Sequence, residues 1–140
     1  MAIFLNNKVG FKIATVNLSD HVTAFTLNRV LDQIEVTAMS DTAHKFVTGL
    51  ASDTITVTFL NDTAAGSVLA TLQSAFGSTV AFQAIQDSSA AVSATNVLYS
   101  GTILVDNLTD INGAVSDEGM IDITFTCNSK TSYASTGTWS

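Results

Sequence analysis

Two histidines, one cysteine and twelve carboxylates are the groups in this 140-residue chain with the most chemistry to offer. Nucleophilic catalysis needs a base within hydrogen-bond reach of the nucleophile and a third group to orient that base. His21 follows Asp20, and His44 sits between Ala43 and Lys45, but no Gly-x-Ser-x-Gly elbow accompanies either. In a chain so rich in serine a Ser/His/Asp trio arises by chance, and both histidines read as loop residues. Cys127 stands on the apolar side of an alternating run and reads as a small buried hydrophobe rather than a reactive thiol. Zinc needs a converging tetrahedral set of Cys, His or carboxylate ligands, which one cysteine and two dispersed histidines do not supply. The run Asp106-Asn107-Leu108-Thr109-Asp110-Ile111-Asn112-Gly113 has the outline of a calcium loop. With Gly113 as the turning glycine, the first carboxylate position falls on Leu108 and the closing glutamate position on Gly119, so the motif fails. Only a non-standard oxygen site from Asp106, Asp110 and Asp117 stays open. The glycines are scattered and form no phosphate cradle. The expectation is a protein that is not an enzyme and that uses no catalytic, cofactor-binding or metal residues.

The balance of charge narrows the class further. Charged residues make up 12% of the chain, the net charge is −7, the pI is near 4.3, and proline is absent. Ordinary soluble domains carry about 25% charged residues. So acidic a chain lacks the cationic footprint of a nucleic-acid binder. No apolar run is long enough for a membrane-spanning helix. Met1 to Val9 lacks a basic start followed by a long apolar stretch, so no secretory signal is expected. A lone cysteine gives no internal disulfide and fits a reducing compartment. Charged residues are depleted where surfaces are covered by other chains, and much of this surface is expected to be covered in that way. The charge is also unevenly placed. Up to Lys45 the cations Lys8, Lys12, Arg29 and Lys45 balance Asp20, Asp32, Glu35 and Asp41. From Phe46 to Ser129 there is no Lys or Arg, only Asp53, Asp62, Asp87, Asp106, Asp110, Asp117, Glu118 and Asp122, and Lys130 alone follows.

Period-two alternation dominates the chain that must position these groups. Thr54 to Phe59 places Ile55, Val57 and Phe59 on one face and threonines on the other, and Ile121 to Cys127 repeats the pattern with Asp122, Thr124 and Thr126. Val22 to Val30 reads as a strand with Phe25 and Leu27 inward, and Gln33 to Thr37 as one with Ile34 and Val36 inward. Val80, Phe82 and Ala84 mark another strand, and Val97 to Asp106 a long one. One face buried and one hydroxylated is the signature of antiparallel sheet. One helix interrupts it at about residues 64–76, with Ala65, Val68, Leu69, Leu72 and Phe76 along an apolar stripe. Asp62 or Thr63 is positioned to cap its start and Gly77 to end it in the left-handed conformation. Residues 1–140 read as a single domain with loops at Asp87 to Asn96 and Asn107 to Gly119, and a Ser/Thr-rich tail over 131–140. Sheets without Pro or Lys on their edges pair with other chains, so neighbouring subunits in a ring or filament are expected to close these edges.

From Leu18 to Asp62 the chain reads LSDHVTAFTLNRVLDQIEVTAMSDTAHKFVTGLASDTITVTFLND. It resembles the tail tube (major tail) proteins of long-tailed bacteriophages. The similar features run in order: Val22-Thr23-Ala24-Phe25-Thr26-Leu27, then Asp32 to Thr37, then Ser40-Asp41-Thr42-Ala43 leading to Phe46-Val47-Thr48-Gly49-Leu50, then the alternating Thr54 to Phe59. The small apolar helix after Asn61-Asp62, the run Tyr99-Ser100-Gly101 and the closing strand Ile121 to Thr126 are also similar. The resemblance implies a mainly β, antiparallel β-sandwich or partial barrel with one flanking helix, self-assembling into stacked hexameric rings around a channel for DNA. It implies a virion tail location after assembly in the host cytoplasm. Its implied partners are further copies of the chain and the tape-measure, tail-terminator and baseplate proteins. DNA passes in transit only, with no specific binding, and no membrane or cofactor is involved.

On that resemblance, Thr54, Thr56, Thr58, Asp122, Thr124 and Thr126 are the candidate lumen-facing residues. Hydroxyls and carboxylates repel phosphates or hold them weakly, so DNA slides past. The segment Met39 to Gly49, with Met39, Asp41, His44, Lys45 and Phe46, is the candidate contact between stacked rings. The competing class is a β-sandwich carbohydrate or adhesion module on a virion or cell surface. Such a module needs exposed aromatic platforms, whereas the aromatics here are mostly Phe at core-facing positions, with Tyr133 and Trp139 as exceptions.

Overall fold

The computed structural model describes residues 8–116 and 118–139. Its elements are β1 (Gly10–Ile13), β2 (Val16–Asn17), a 3-10 turn (Ser19–His21), β3 (Val22–Asn28), β4 (Leu31–Glu35), β5 (Phe46–Ala51), β6 (Thr54–Leu60), α1 (Val68–Ala75), β7 (Thr79–Ile85), β8 (Leu98–Leu104), β9 (Met120–Cys127) and β10 (Ser132–Ala134). One antiparallel sheet runs β2-β1-β7-β8-β9-β6-β3, with β10 paired to β8, while β4 and β5 pair only with each other. The sheet folds at β8. Its first half pairs with β10 through Ser100↔Ser132 and Leu98↔Ala134, and its second half turns to β9 through Ile103↔Cys127 and Leu104↔Thr126. The two arms of the sheet thereby come face to face as a partial barrel, open between β1 and β3 among the described residues.

The core lies between these arms. Phe11 of β1 is fully buried, with its ring centroid 5.0 Å from Phe25 of β3, 6.2 Å from Phe59 of β6 and 6.5 Å from Phe82 of β7. Ile55, Val57, Phe59, Ile121, Ile123 and Phe125 are buried, as the alternation in β6 and β9 requires. Helix α1 adds Val68, Leu72 and Ala75 to the same cluster. Among the described residues no helix is long and apolar enough to cross a membrane.

The helix is shorter than its apolar stripe predicts. Asp62 fixes the preceding turn instead of capping α1, accepting from the Ala64 N–H at 2.9 Å and the Ser67 hydroxyl at 2.9 Å. Gly66 adopts a positive φ of 77°, which leaves Ala65 exposed before the helix begins. Gly77 takes the left-handed conformation the sequence assigns it, at φ 84°. Phe76 is 56% exposed and off the buried stripe, because the backbone leaves the helix at that residue. Ile34 and Val36 also differ from expectation. They are half exposed, because β4 and β5 stand off the main sheet and have no core to face within one chain.

The segment read as a tail contains β10 and ends on β1. Trp139 lies on Gly10, where a Cβ would stand 2.5 Å from Trp139 Cζ2, and its ring holds the Lys12 ammonium 4.7 Å from the centroid. Only a residue without a side chain leaves room for the indole there. Gly10→Leu is expected to expel Trp139, shift the emission of this single tryptophan to that of a solvent-exposed indole, and cost about 1–3 kcal/mol. Phe11→Ala is expected to cost about 3–5 kcal/mol in a denaturant melt, since the rings of Phe25, Phe59 and Phe82 lose their common neighbour.

Candidate functional site

The β6–β9 ladder sets Thr54 opposite Thr126, Thr56 opposite Thr124 and Thr58 opposite Asp122. On the other side of β6, Asn28, Thr26 and Ala24 of β3 pair with Thr54, Thr56 and Thr58. All six candidate lumen residues therefore share one face, three strands wide, turned away from the core. Thr56 and Thr124 place their hydroxyl oxygens 3.4 Å apart, and the Thr58 hydroxyl donates to Asp122 at 3.3 Å. Asn107 borders the face, donating to the Thr124 carbonyl at 3.1 Å and to the adjacent Asp106 carboxylate at 2.9 Å. Asp122 is the one charged side chain among these nine paired residues. The face offers many weak hydrogen-bonding groups, one negative charge and no cation.

The second feature is the β4–β5 hairpin, which leaves the sheet after Asn28 and returns at Thr54. Ile34 and Val47 pair on one of its faces and Phe46 lies opposite Glu35 on the other, so apolar side chains stand on both. Leu50 is 81% exposed and Met39, at the tip, fully so. The tip is held by its own polar groups. Lys45 Nζ lies 2.7 Å from Asp41 Oδ1, and Asp41 Oδ2 accepts from the Ala38 N–H at 2.7 Å. Lys45 and then that N–H hold the Asp41 carboxyl below its ordinary pKa. His44 Nδ1 bonds Glu35, which also accepts from the Thr37 hydroxyl at 3.0 Å. Of the candidate ring-contact residues, Met39, Asp41, His44 and Lys45 lie in the tip, whereas Phe46 opens β5 and is strand rather than loop.

At the base of the hairpin stands Asp53, a residue the alternation pattern leaves without a role. It is 3% exposed and accepts from the Val30 N–H at 3.1 Å and the Thr131 N–H at 2.8 Å. Burial pushes its carboxyl up, but bonds from Thr131 and Val30 together with the nearby Arg29 outweigh that and keep it below the ordinary value. The signal in the sequence is slight: a lone acid in the two-residue connection between strands.

His21 lies between two carboxylates, Nδ1 3.0 Å from Asp20 and Nε2 2.9 Å from Asp62. Ser67 also bonds Asp62, so the carboxylate sits between hydroxyl and imidazole, where a triad places the imidazole between hydroxyl and carboxylate. Cys127 is half-buried, and burial raises its thiol pKa, away from the reactive thiolate. Among the described residues no three His, Cys, Asp or Glu side chains converge on a cation position; Asp117, the third member of the calcium expectation, lies outside them. Of the two aromatics expected outside the core, Trp139 lies on Gly10 and Lys12, whereas Tyr133, with Arg29 5.3 Å over its ring, stays exposed, as do Phe46 and Phe76 against expectation.

No family model and no curated protein matches the chain. Solved structures do. A chain in the virion of a native gene transfer agent (GTA) particle matches with a TM-score of 0.74 at 11% identity, over 94% of this chain and 99% of that one. A chain in the tail of an empty GTA particle with C6 symmetry matches with a TM-score of 0.60 at 14% identity, over 81% of this chain and 82% of that one. The mainly antiparallel β fold of this protein is that of a phage-like virion and tail chain.

Proposed function

We propose that this chain is a structural, non-enzymatic subunit of a phage-type tail, and that its copies close into hexameric rings that stack into a tube for DNA. The observation that carries the reading is the end-to-end fold likeness to the GTA virion chain, which leaves almost none of either chain over. The sheet adds a physical reason to assemble. Its path ends at β3, whose outer edge is unpaired among the described residues and carries no proline or lysine between Val22 and Asn28. Such an edge recruits another strand. A ring of copies satisfies these edges without leaving a new one, as any closed barrel does.

In this reading the Thr54, Thr56, Thr58, Asp122, Thr124 and Thr126 face lines the channel. DNA phosphates are held mainly by Lys and Arg, and a surface of hydroxyls with a ring of Asp122 carboxylates lets the duplex pass without a trap. The β4–β5 hairpin, apolar on both faces, reaches the neighbouring ring. The partners of such a tube are tape-measure, terminator and baseplate proteins.

Electron microscopy of the purified protein tests the assembly: hollow tubes or rings with sixfold symmetry are expected, and dispersed monomers at high concentration overturn it. Asp122→Lys tests the channel face. It is expected to leave tubes intact and to slow genome exit by about tenfold in low salt and less in high salt, because added cation–phosphate attraction is screened. A tube map that turns the six residues outward overturns the assignment.

A further inference from the structure

We infer that Asp53 is the positioning residue of the β4–β5 hairpin, locking the hairpin's base to the C-terminal segment 131–139 so that one conformation of the hairpin is presented. The hairpin has little else to orient it, since its strands pair only with each other and its apolar side chains are exposed. Its two legs meet where the Ser52 N–H donates to the Val30 carbonyl at 2.7 Å. Asp53 then joins three segments at one residue. Its Oδ1 takes the Val30 N–H of the entering leg, its Oδ2 the Thr131 N–H, and its backbone carbonyl the Cys127 N–H at the end of β9, at 3.0 Å.

The C-terminal segment is itself fastened on either side of this junction. β10 pairs with β8, Tyr133 lies under Arg29 at the end of β3, and Trp139 occupies its seat on Gly10. The hairpin base is therefore tied through one carboxylate to a strap that crosses the domain. A carboxylate suits this place because both of its oxygens accept. An asparagine satisfies one of the two N–H groups and turns its own NH2 toward the other. The groups that face Asp53 are Arg29 from the end of β3, Lys130 from the segment before β10 and Cys127 of β9, and no other acid joins them among the described residues.

The lock stands independently of the tube; only its consequence for stacking rests on the proposed reading of the hairpin. Spin labels at Met39→Cys and Thr124→Cys in a Cys127→Ser background read it on the dissociated full chain. With Asp53 present, a single narrow distance peak is expected. Asp53→Asn is expected to lose that peak while far-ultraviolet circular dichroism still reports the main sheet. Tyr133→Ala, which loosens the strap without touching Asp53, is expected to broaden it as well, and serves if Asp53→Asn fails to fold. Because the folded pKa of Asp53 is lowered, the lock is complete above about pH 4, the ordinary carboxylate value, and is lost as pH falls through the folded value. Acid should therefore broaden the peak in the parent but not further in Asp53→Asn. An unchanged narrow peak in both variants overturns the lock, as does broadening only where the sheet has melted. Tubes that assemble normally from a variant with a loosened hairpin support the lock and refute the hairpin's role between rings.

Discussion

The register between β6 and β9 is the constraint on which most of this molecule depends. Seven residue pairs run from Thr54↔Thr126 to Leu60↔Met120. Side chains alternate with period two, so this pairing buries Ile55, Val57 and Phe59 beside Phe125, Ile123 and Ile121 and sets hydroxyl against hydroxyl or carboxylate outside. A one-residue slip would expose the three apolar side chains of whichever strand moved. At about 1.5–3 kcal/mol each, that is comparable with the net stability of about 5–15 kcal/mol typical of a whole domain. The hydroxylated face is thus held in place by the core behind it.

The same patterning leaves the sheet unfinished. Folding at β8 brings β1 against β3 through Phe11 and Phe25, but the contact is between side chains, and neither strand bonds the other. Among the described residues a cleft of about 310 Å³ remains on this side, with Phe25, Leu27, Ala84, Ile85 and Tyr99 in its walls. The hairpin adds Ile34, Val36, Phe46, Val47 and Leu50 in contact with water. Exposed apolar surface of this sort is a poor end state for a solitary chain and a good one for a chain with neighbours. The scarcity of charge in the sequence and the exposure of apolar groups in the fold are two views of one property.

How much of this was legible beforehand depended on whether local pattern or distant contact decides each element. β6 and β9 were readable because alternation is a local signal, and the six residues on their outer faces come together because pairing preserves it. The strand character of Leu31 to Glu35 was also visible, yet the inward orientation expected of Ile34 was wrong. Alternation says that two faces differ, not that a core exists to receive one of them. Helix α1 started late because Asp62 and Gly66 set a turn that an apolar stripe does not encode. β1 was missed altogether: both sides of Gly10–Ile13 are buried, one by the core and one by Trp139, so no alternation marks it. Asp53 was equally silent, since its partners Val30 and Thr131 are far apart in sequence.

The seat of Trp139 on Gly10 has a topological meaning. It brings together positions near the two ends of the described chain, closing it into a loop of nearly its full length. Holding such ends together costs about 4 kcal/mol of chain entropy, which the indole, the β10 ladder and the Arg29–Tyr133 stack must offset. Once closed, the chain is effectively circular. A linker joining positions near Gly10 and Trp139, with the chain opened instead at a surface loop such as Asp87 to Asn96, would leave the strand order unchanged. Any polymer built from these units would then carry its chain ends at a position chosen by the experimenter.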